Sequence, residues 1–269
     1  MLAHRVKPGS KVKLADIDAD DAGPYKGKDD ARVEKKLAAD LEQLIDLQEL
    51  LYAEQKQSLL VVLQAMDTAG KDGVLRKVVG PLDSRGVHVS SFKAPSSNEL
   101  AHDYLWRVHA RTPQKGDIVF FNRSHYEDVL VVRVLDLRPK AVWKKRYDHI
   151  NAFERLLDDE GTRVVKVYLH ISKDEQKRRL EARLADKEKQ WKFDPGDLSM
   201  RAHWGEFMDA YEEAIERTST DHAPWYIVPA NRKWYRDLCV AEILVETLKD
   251  MDPKVPKPSF DPKAIKIPD

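Results

Sequence analysis

The residues from Ala65 to Gly73 read Ala-Met-Asp-Thr-Ala-Gly-Lys-Asp-Gly and run directly into Val-Leu-Arg-Lys-Val-Val. These residue types suit an anion. Gly70 lets the backbone approach a ligand, and the N–H groups of Thr68, Ala69, Gly70, Lys71, Asp72 and Gly73 can line a nest for phosphate oxygens. Lys71 adds a point charge for bridging or terminal oxygens. A carboxylate in such a loop repels its own ligand unless a divalent cation stands between them, which assigns Asp67 to Mg2+. Ala65 stands where the usual phosphate loop has its first glycine, and Asp72 where it has a metal-holding hydroxyl. On that pattern alone an ordinary strand-to-helix turn with a solvated lysine is an equal reading, and Asp67 tips the balance.

A second polar cluster, Asn122-Arg-Ser-His-Tyr-Glu-Asp128, follows the apolar run over 118–121. The carboxyl end of a parallel strand beside a phosphate loop is where open α/β folds keep their chemistry. Arg123 can stabilise transferring phosphoryl oxygens, and Asn122 can ligate or orient hydrated Mg2+. His125 is better suited to capping or packing than to proton transfer, and one histidine with two carboxylates makes no closed transition-metal set. Cations gather further on. The segment 138–147 holds five basic residues and no acidic one, and 173–192 holds eight basic and five acidic residues around Trp191. Each run alone reads as a solvated helix face. Beside a phosphate loop they read as a polyanion channel and a closing lid.

These residues need a scaffold that brings strand ends together. Leu37, Leu41, Leu44, Leu47 and Leu51 recur at helical spacing, and the run 59–63 then predicts a buried strand. Short apolar runs return at 87–92, 118–121, 164–171 and 225–228, each pair separated by enough chain for one or more helices. That alternation predicts one α/β domain, a parallel sheet flanked by helices on both faces. Residues 1–31 carry no period and read as an arm over the surface, tolerant of deletion. Residues 253–269 hold five prolines and read as an extended tail.

The chain has 269 residues with 46 basic and 46 acidic side chains, so no global field selects a nucleic acid. Its one cysteine, Cys239, excludes an intrachain disulfide framework and a thiolate-rich zinc site. The amino terminus lacks an apolar signal region and no aliphatic run is long enough for a bilayer, so a cytoplasmic protein without a membrane partner is expected.

The sequence closely resembles the polyphosphate kinase 2 family over about 32–249. The resemblance rests on Met66-Asp-Thr-Ala-Gly-Lys-Asp-Gly73, Tyr104-Leu-Trp-Arg107, Phe121-Asn-Arg-Ser-His-Tyr-Glu-Asp-Val-Leu130 and Leu169-His-Ile-Ser172. It extends through Glu175-Gln-Lys-Arg-Arg-Leu-Glu-Ala-Arg183, Lys189-Gln-Trp-Lys192 and Ala223-Pro-Trp-Tyr226. It implies a P-loop kinase fold like that of thymidylate kinase over 32–252, a helical lid over about 173–205, Mg2+ dependence and a homo-oligomer, dimer or tetramer. By position it implies catalytic roles for Asp67, Lys71, Arg123, Arg179 and Arg183, with Asp67 and Asn122 at the metal and Glu127 in the nucleotide site. Lys93, Lys144, Lys145, Arg178, Lys189 and Lys192 are then the polyphosphate-binding cations. Many relatives carry Asp where this chain has Asn122, which leaves more of the metal to Asp67. The segment looks like the branch that accepts nucleoside monophosphates as well as diphosphates.

The activity so implied is reversible transfer of the terminal phosphoryl group of inorganic polyphosphate to AMP and ADP. An ATP-dependent nucleoside monophosphate kinase is the rival enzyme, and a polyanion-binding protein without turnover is the rival outside enzymes. The second leaves Asp67 unexplained.

Overall fold

The computed structural model describes residues 2–268. Six strands form one sheet: β1 His4–Arg5, β2 Ser58–Ala65, β3 Val87–Ser91, β4 Ile118–Asn122, β5 Thr162–His170 and β6 Trp225–Pro229. Their order is β1-β6-β5-β2-β4-β3; β1 is antiparallel to β6 and every other pair is parallel. All residues of β2 are buried, as a central strand covered on both faces must be.

The helices are α1 Ala31–Glu54, α2 Lys71–Val74, α3 Ser97–Leu100, α4 Trp106–His109, α5 Val131–Val134, α6 Lys140–Asp159, α7 Lys173–Ala185, α8 Gly196–Ala202, α9 Trp204–Thr218 and α10 Lys233–Met251. The leucine spacing of α1 appears as a stripe in which Leu44 and Leu51 are fully buried, and the helix packs on α10. Asp30 caps its first turn, accepting from the Arg32 N–H. α10 also packs on β5, β6 and α2, while α5, α6 and α9 pack on one another with α6 against β5. The helix expected after the phosphate loop is α2 continued by one π-helical turn over Leu75–Val79.

The first thirty residues differ from the surface arm expected. β1 extends the sheet edge, and Val6, Val12 and Leu14 belong to the core. The arm is also tied by hydrogen bonds: the Val12 and Leu14 N–H groups donate to Glu216 and Glu212 on α9, and Ser219 donates to the Val6 carbonyl. Such irregular contacts have no periodicity, so the sequence pattern hides them. The segment after α10 is exposed apart from Pro253 and contains one short turn, Pro262–Ala264.

Candidate active site

β2 lies between β4 and β5, and the chain leaves it toward β4 and β3 on one side and toward β5 and β6 on the other. The crevice at the carboxyl ends of strands where the order reverses is the ligand site of open α/β sheets. The loop 66–70 fills it. Gly70 has φ 110, a conformation open to glycine, and caps α2. A Cβ there would sit 1.8 Å from the Arg236 Nη1, and one at Gly73 2.8 Å from Nη2. Both glycines therefore make room for a buried arginine of α10, whose guanidinium is fixed by Asp237.

β4 delivers the second cluster. Its Asn122 pairs in register with Leu63 of β2, and the Arg123 N–H donates to the Leu63 carbonyl at 3.1 Å. Arg123 has φ 62, a left-handed conformation rare outside glycine and frequent at functional sites. It is held by the next residues: buried Ser124 accepts from Gln64 and from the Tyr126 N–H. The guanidinium so placed donates to Asp67 Oδ1 at 2.8 Å and lies 4.0 Å from the Glu127 carboxylate.

Lys71 donates to the Ala65 carbonyl at 3.1 Å. Desolvation pulls its ammonium below the ordinary lysine value, although Asp67 opposes the shift. An arriving phosphate favours the charged form. Burial likewise pushes the Glu127 carboxyl up, against the pull of Arg123 and Lys71. Asn122 donates from Nδ2 to Asp72 Oδ1 at 3.1 Å, which leaves its amide oxygen as an acceptor.

Among the described residues no group of three or more His, Cys, Asp or Glu forms a ready metal cage. The donors at the loop are Asp67, Asp72 and the Asn122 oxygen, all hard oxygens without His or Cys. That set fits Mg2+, which binds through one or two carboxylates, substrate phosphates and water.

Two cavities meet at Arg123. The first, about 520 Å3, is lined by Asp67, Thr68, Gly70, Lys71, Asp72, Gly73, Asn122 and Arg123, and across from them by Arg178, Arg179, Arg183, Lys189 and Lys192. The second, about 500 Å3, has Lys93 and Glu127 with the apolar walls Phe92, Tyr104, Val131, Val132, Leu137 and Met200, and the cations Arg107, Arg138 and Arg146. α8 reaches both, through Asp197 in the first and Met200 in the second.

Of the expected site residues, Ala69 is fully buried in the loop and contributes backbone only. Lys144 and Lys145 line neither cavity. They lie on the exposed side of α6, whose Trp143 and Tyr147 face the core, so this pair reads as the solvated face. The basic segment reaches the site through Arg138 and Arg146 instead; Arg146 is fixed to Asp128 at 2.9 Å and lies over the Tyr104 ring. Arg183 donates to the Lys192 carbonyl at 2.9 Å and lies 3.5 Å from Asp197. Arg179 differs from the phosphate-facing arginine expected, since its donors are engaged by backbone carbonyls and Glu175. Arg76, Lys233 and Arg236 also line the first cavity and went unread in the sequence. Their only signal was position, after the loop and after β6.

A parallel sheet with a phosphate loop at its switch point, an arginine on the neighbouring strand end and a helical segment carrying more cations over the loop define a P-loop kinase fold. The sequence model of the family described as Polyphosphate kinase 2 matches residues 27–256, and the chain belongs to that family. It is similar to an AMP/ADP-polyphosphate phosphotransferase of Meiothermus ruber, 52% identical over 99% of this chain and all of that protein. An ADP-polyphosphate phosphotransferase of Rhodopseudomonas palustris is 42% identical over 94% of this chain and 91% of its own length. The crystal structure of polyphosphate kinase 2 from Arthrobacter aurescens TC1 superposes with a TM-score of 0.92 at 46% identity, covering 97% of this chain and 92% of that one. No helix of the described residues is long and apolar enough to cross a membrane.

Proposed function

We propose that the protein transfers the terminal phosphoryl group of inorganic polyphosphate to AMP and to ADP, reversibly and with Mg2+. The observation that carries this reading is the pair of cavities meeting at Arg123: one lined mainly by charged and polar residues, the other part apolar and part cationic. A chain of phosphates suits the first. A nucleoside monophosphate or diphosphate suits the second, with its base against the apolar wall and its phosphates toward Arg123.

The attacking group is a phosphate oxygen already ionised near neutral pH, so no strong general base is required. The task is to hold two polyanions end to end. Lys71 and the N–H groups of the loop bind the donor end, Arg123 bridges donor and acceptor, and Arg183, Lys189 and Lys192 neutralise the chain from the opposite wall. Asp67, with Asn122 beside it, would hold Mg2+, which would supply further charge neutralisation. Asp67 and Arg123 are paired at 2.8 Å, so the arginine is positioned beside the carboxylate before substrate arrives. The helical segment 173–205 acts as the lid that excludes water. The reading includes a cytoplasmic homo-oligomer, testable by sedimentation of the purified protein.

The test is ATP formation from ADP and long-chain polyphosphate, with ATP and AMP alone as the control. Formation of ATP only when polyphosphate is present supports the proposal. ADP formed from ATP and AMP, with polyphosphate inert, would replace it by an ATP-dependent monophosphate kinase.

A further inference from the structure

α7 leaves the carboxyl end of β5 and turns two side chains onto the back of the phosphate loop. Gln176, fully buried, donates from Nε2 to the Asp67 carbonyl at 3.1 Å. One turn later Arg179 donates from Nη1 to the carbonyls of Thr68 at 3.0 Å and Ala69 at 3.1 Å. Its Nη2 donates to the carbonyls of Ala230 and Asn231, each at 2.7 Å, and its Nε to Glu175 at 2.7 Å. These bonds are as many as a guanidinium has N–H donors, and the residue is 8% exposed. No donor is left over for a phosphate in this arrangement.

Three consecutive loop carbonyls, those of Asp67, Thr68 and Ala69, are thereby drawn toward one helix. In a trans peptide the N–H points opposite to the C=O of its own unit, so the N–H groups of Thr68, Ala69 and Gly70 are turned away from α7. That of Ala69 closes a turn onto the Met66 carbonyl at 3.3 Å. Thr68 itself has φ 65, a left-handed conformation unfavourable for a β-branched residue, and such a conformation persists only where its surroundings hold it. The bond from Arg179 to the Thr68 carbonyl is one such hold. The clasp is further tied to the helix that reaches both cavities, because Arg201 of α8 donates to Gln176 Oε1 at 2.9 Å and to the Lys173 carbonyl at 2.7 Å.

We propose that Gln176 and Arg179 are positioning residues: their clasp on the loop carbonyls presents the N–H groups of Thr68 and Gly70 to the donor phosphate, and Arg179 does not bind that phosphate itself. The inference rests on the phosphotransfer reading above and revises the role expected for Arg179. A lysine keeps the charge but cannot span four carbonyls, so the conservative replacement separates charge from geometry.

The experiment measures kcat and KM for polyphosphate at several salt concentrations for the wild type, Arg179→Lys, Arg179→Ala, Gln176→Leu and the double variant Gln176→Leu/Arg179→Lys. Alongside it, inorganic tripolyphosphate is titrated calorimetrically without nucleotide. The clasp predicts that both Arg179 variants lose kcat alike, by about 100-fold, as misplacement of a reacting group does. It predicts a dependence of log KM on log salt parallel to the wild type, since no cationic side chain leaves a phosphate; only neutral N–H contacts are misplaced. The double variant should be no worse than Arg179→Lys, and tripolyphosphate affinity should fall in Arg179→Lys.

Arg179→Lys within about threefold of wild type while Arg179→Ala fails, with a shallower salt dependence, would make Arg179 a direct phosphate ligand and overturn the proposal. A lowered Tm with unchanged kcat below it would overturn it in favour of mere packing. Should Arg179→Ala not fold, Arg179→Lys and Gln176→Leu decide. If the wild type binds tripolyphosphate but does not phosphorylate ADP, the proposed function fails and the titration decides the clasp: weakened binding by Arg179→Lys supports it, and wild-type binding contradicts it.

Discussion

Two lysines, Lys71 in the phosphate loop and Lys166 in the middle of β5, are both desolvated, and in both burial pulls the ammonium below its ordinary pKa. Their partners separate them. Lys166 donates to the Glu154 carboxylate and to the Thr218 carbonyl, and Glu154 also accepts from Tyr126 and faces His125 at 3.3 Å, all at fully buried side chains. Lys71 has one hydrogen bond, to a backbone carbonyl, and borders a cavity rich in other cations. A buried charge whose partners close around it holds structure; one left open beside more charge of its own sign awaits a polyanion.

The largest effect that sharpens this contrast is Lys71→Ala, which should lower kcat by three or more orders of magnitude, about 4 kcal/mol of transition-state stabilisation, with the circular dichroism spectrum and Tm near wild type. Activity within tenfold of wild type would break it. Lys166→Met should do the reverse, costing about 3–5 kcal/mol of stability in urea unfolding because Glu154 is stranded in the core, while the folded fraction keeps its turnover. The double change Lys166→Met/Glu154→Leu should recover most of that stability.

Only the Lys71 half of this contrast was visible in the sequence; nothing there marked Lys166 or Glu154. The alternation of apolar runs and helical spacing predicted the parallel core because period and run length report burial directly. That Asp67, Lys71 and Arg123 come together was legible because each sits in a short motif adjoining a strand end. Arg76, Lys233 and Arg236 were not, since nothing local marks a helix cation that the tertiary fold turns into a cavity. Lys144 and Lys145 show the opposite difficulty: a dense basic run looks the same whether it faces a ligand or water, and the burial of Trp143 and Tyr147 turns this pair to the exposed side of α6. Arg179 was singled out by its position, and nothing in the sequence showed that its donors meet backbone carbonyls and Glu175.

A smaller effect concerns the metal. Asp67→Asn should reduce kcat about 100-fold, with part of the loss regained as Mg2+ is raised, because the variant keeps an oxygen ligand but loses its charge. An unchanged Mg2+ dependence would return Asp67 to the role of holding Arg123.

The smallest concerns Asp197, the acidic residue that α8 places in the phosphate-loop cavity, 3.5 Å from Arg183. Burial, with Asp67 nearby, raises its carboxyl to about 6. A raised carboxylate binds its proton more tightly in the folded state, so this group disfavours folding increasingly as pH rises from about 4 to 6. In the folded protein its charge appears around pH 6, across the cavity from the loop. KM for polyphosphate should therefore rise about two- to threefold from pH 5.5 to 7.5 relative to Asp197→Asn, measured in parallel to cancel the titration of the substrate itself. Identical profiles would remove Asp197 from the donor site.

The most direct test of two substrates meeting at Arg123 is a time course with AMP and polyphosphate, free of ATP, ADP and adenylate kinase, with the nucleotides separated at each point. AMP carries one phosphate fewer than ADP, so the reacting atoms meet at about 3–3.5 Å only if the acceptor sits deeper or the unbranched donor slides further along its cationic wall. The account predicts that ADP accumulates first and ATP follows. AMP left unreacted under conditions in which ADP is converted would contradict a shared site for both acceptors.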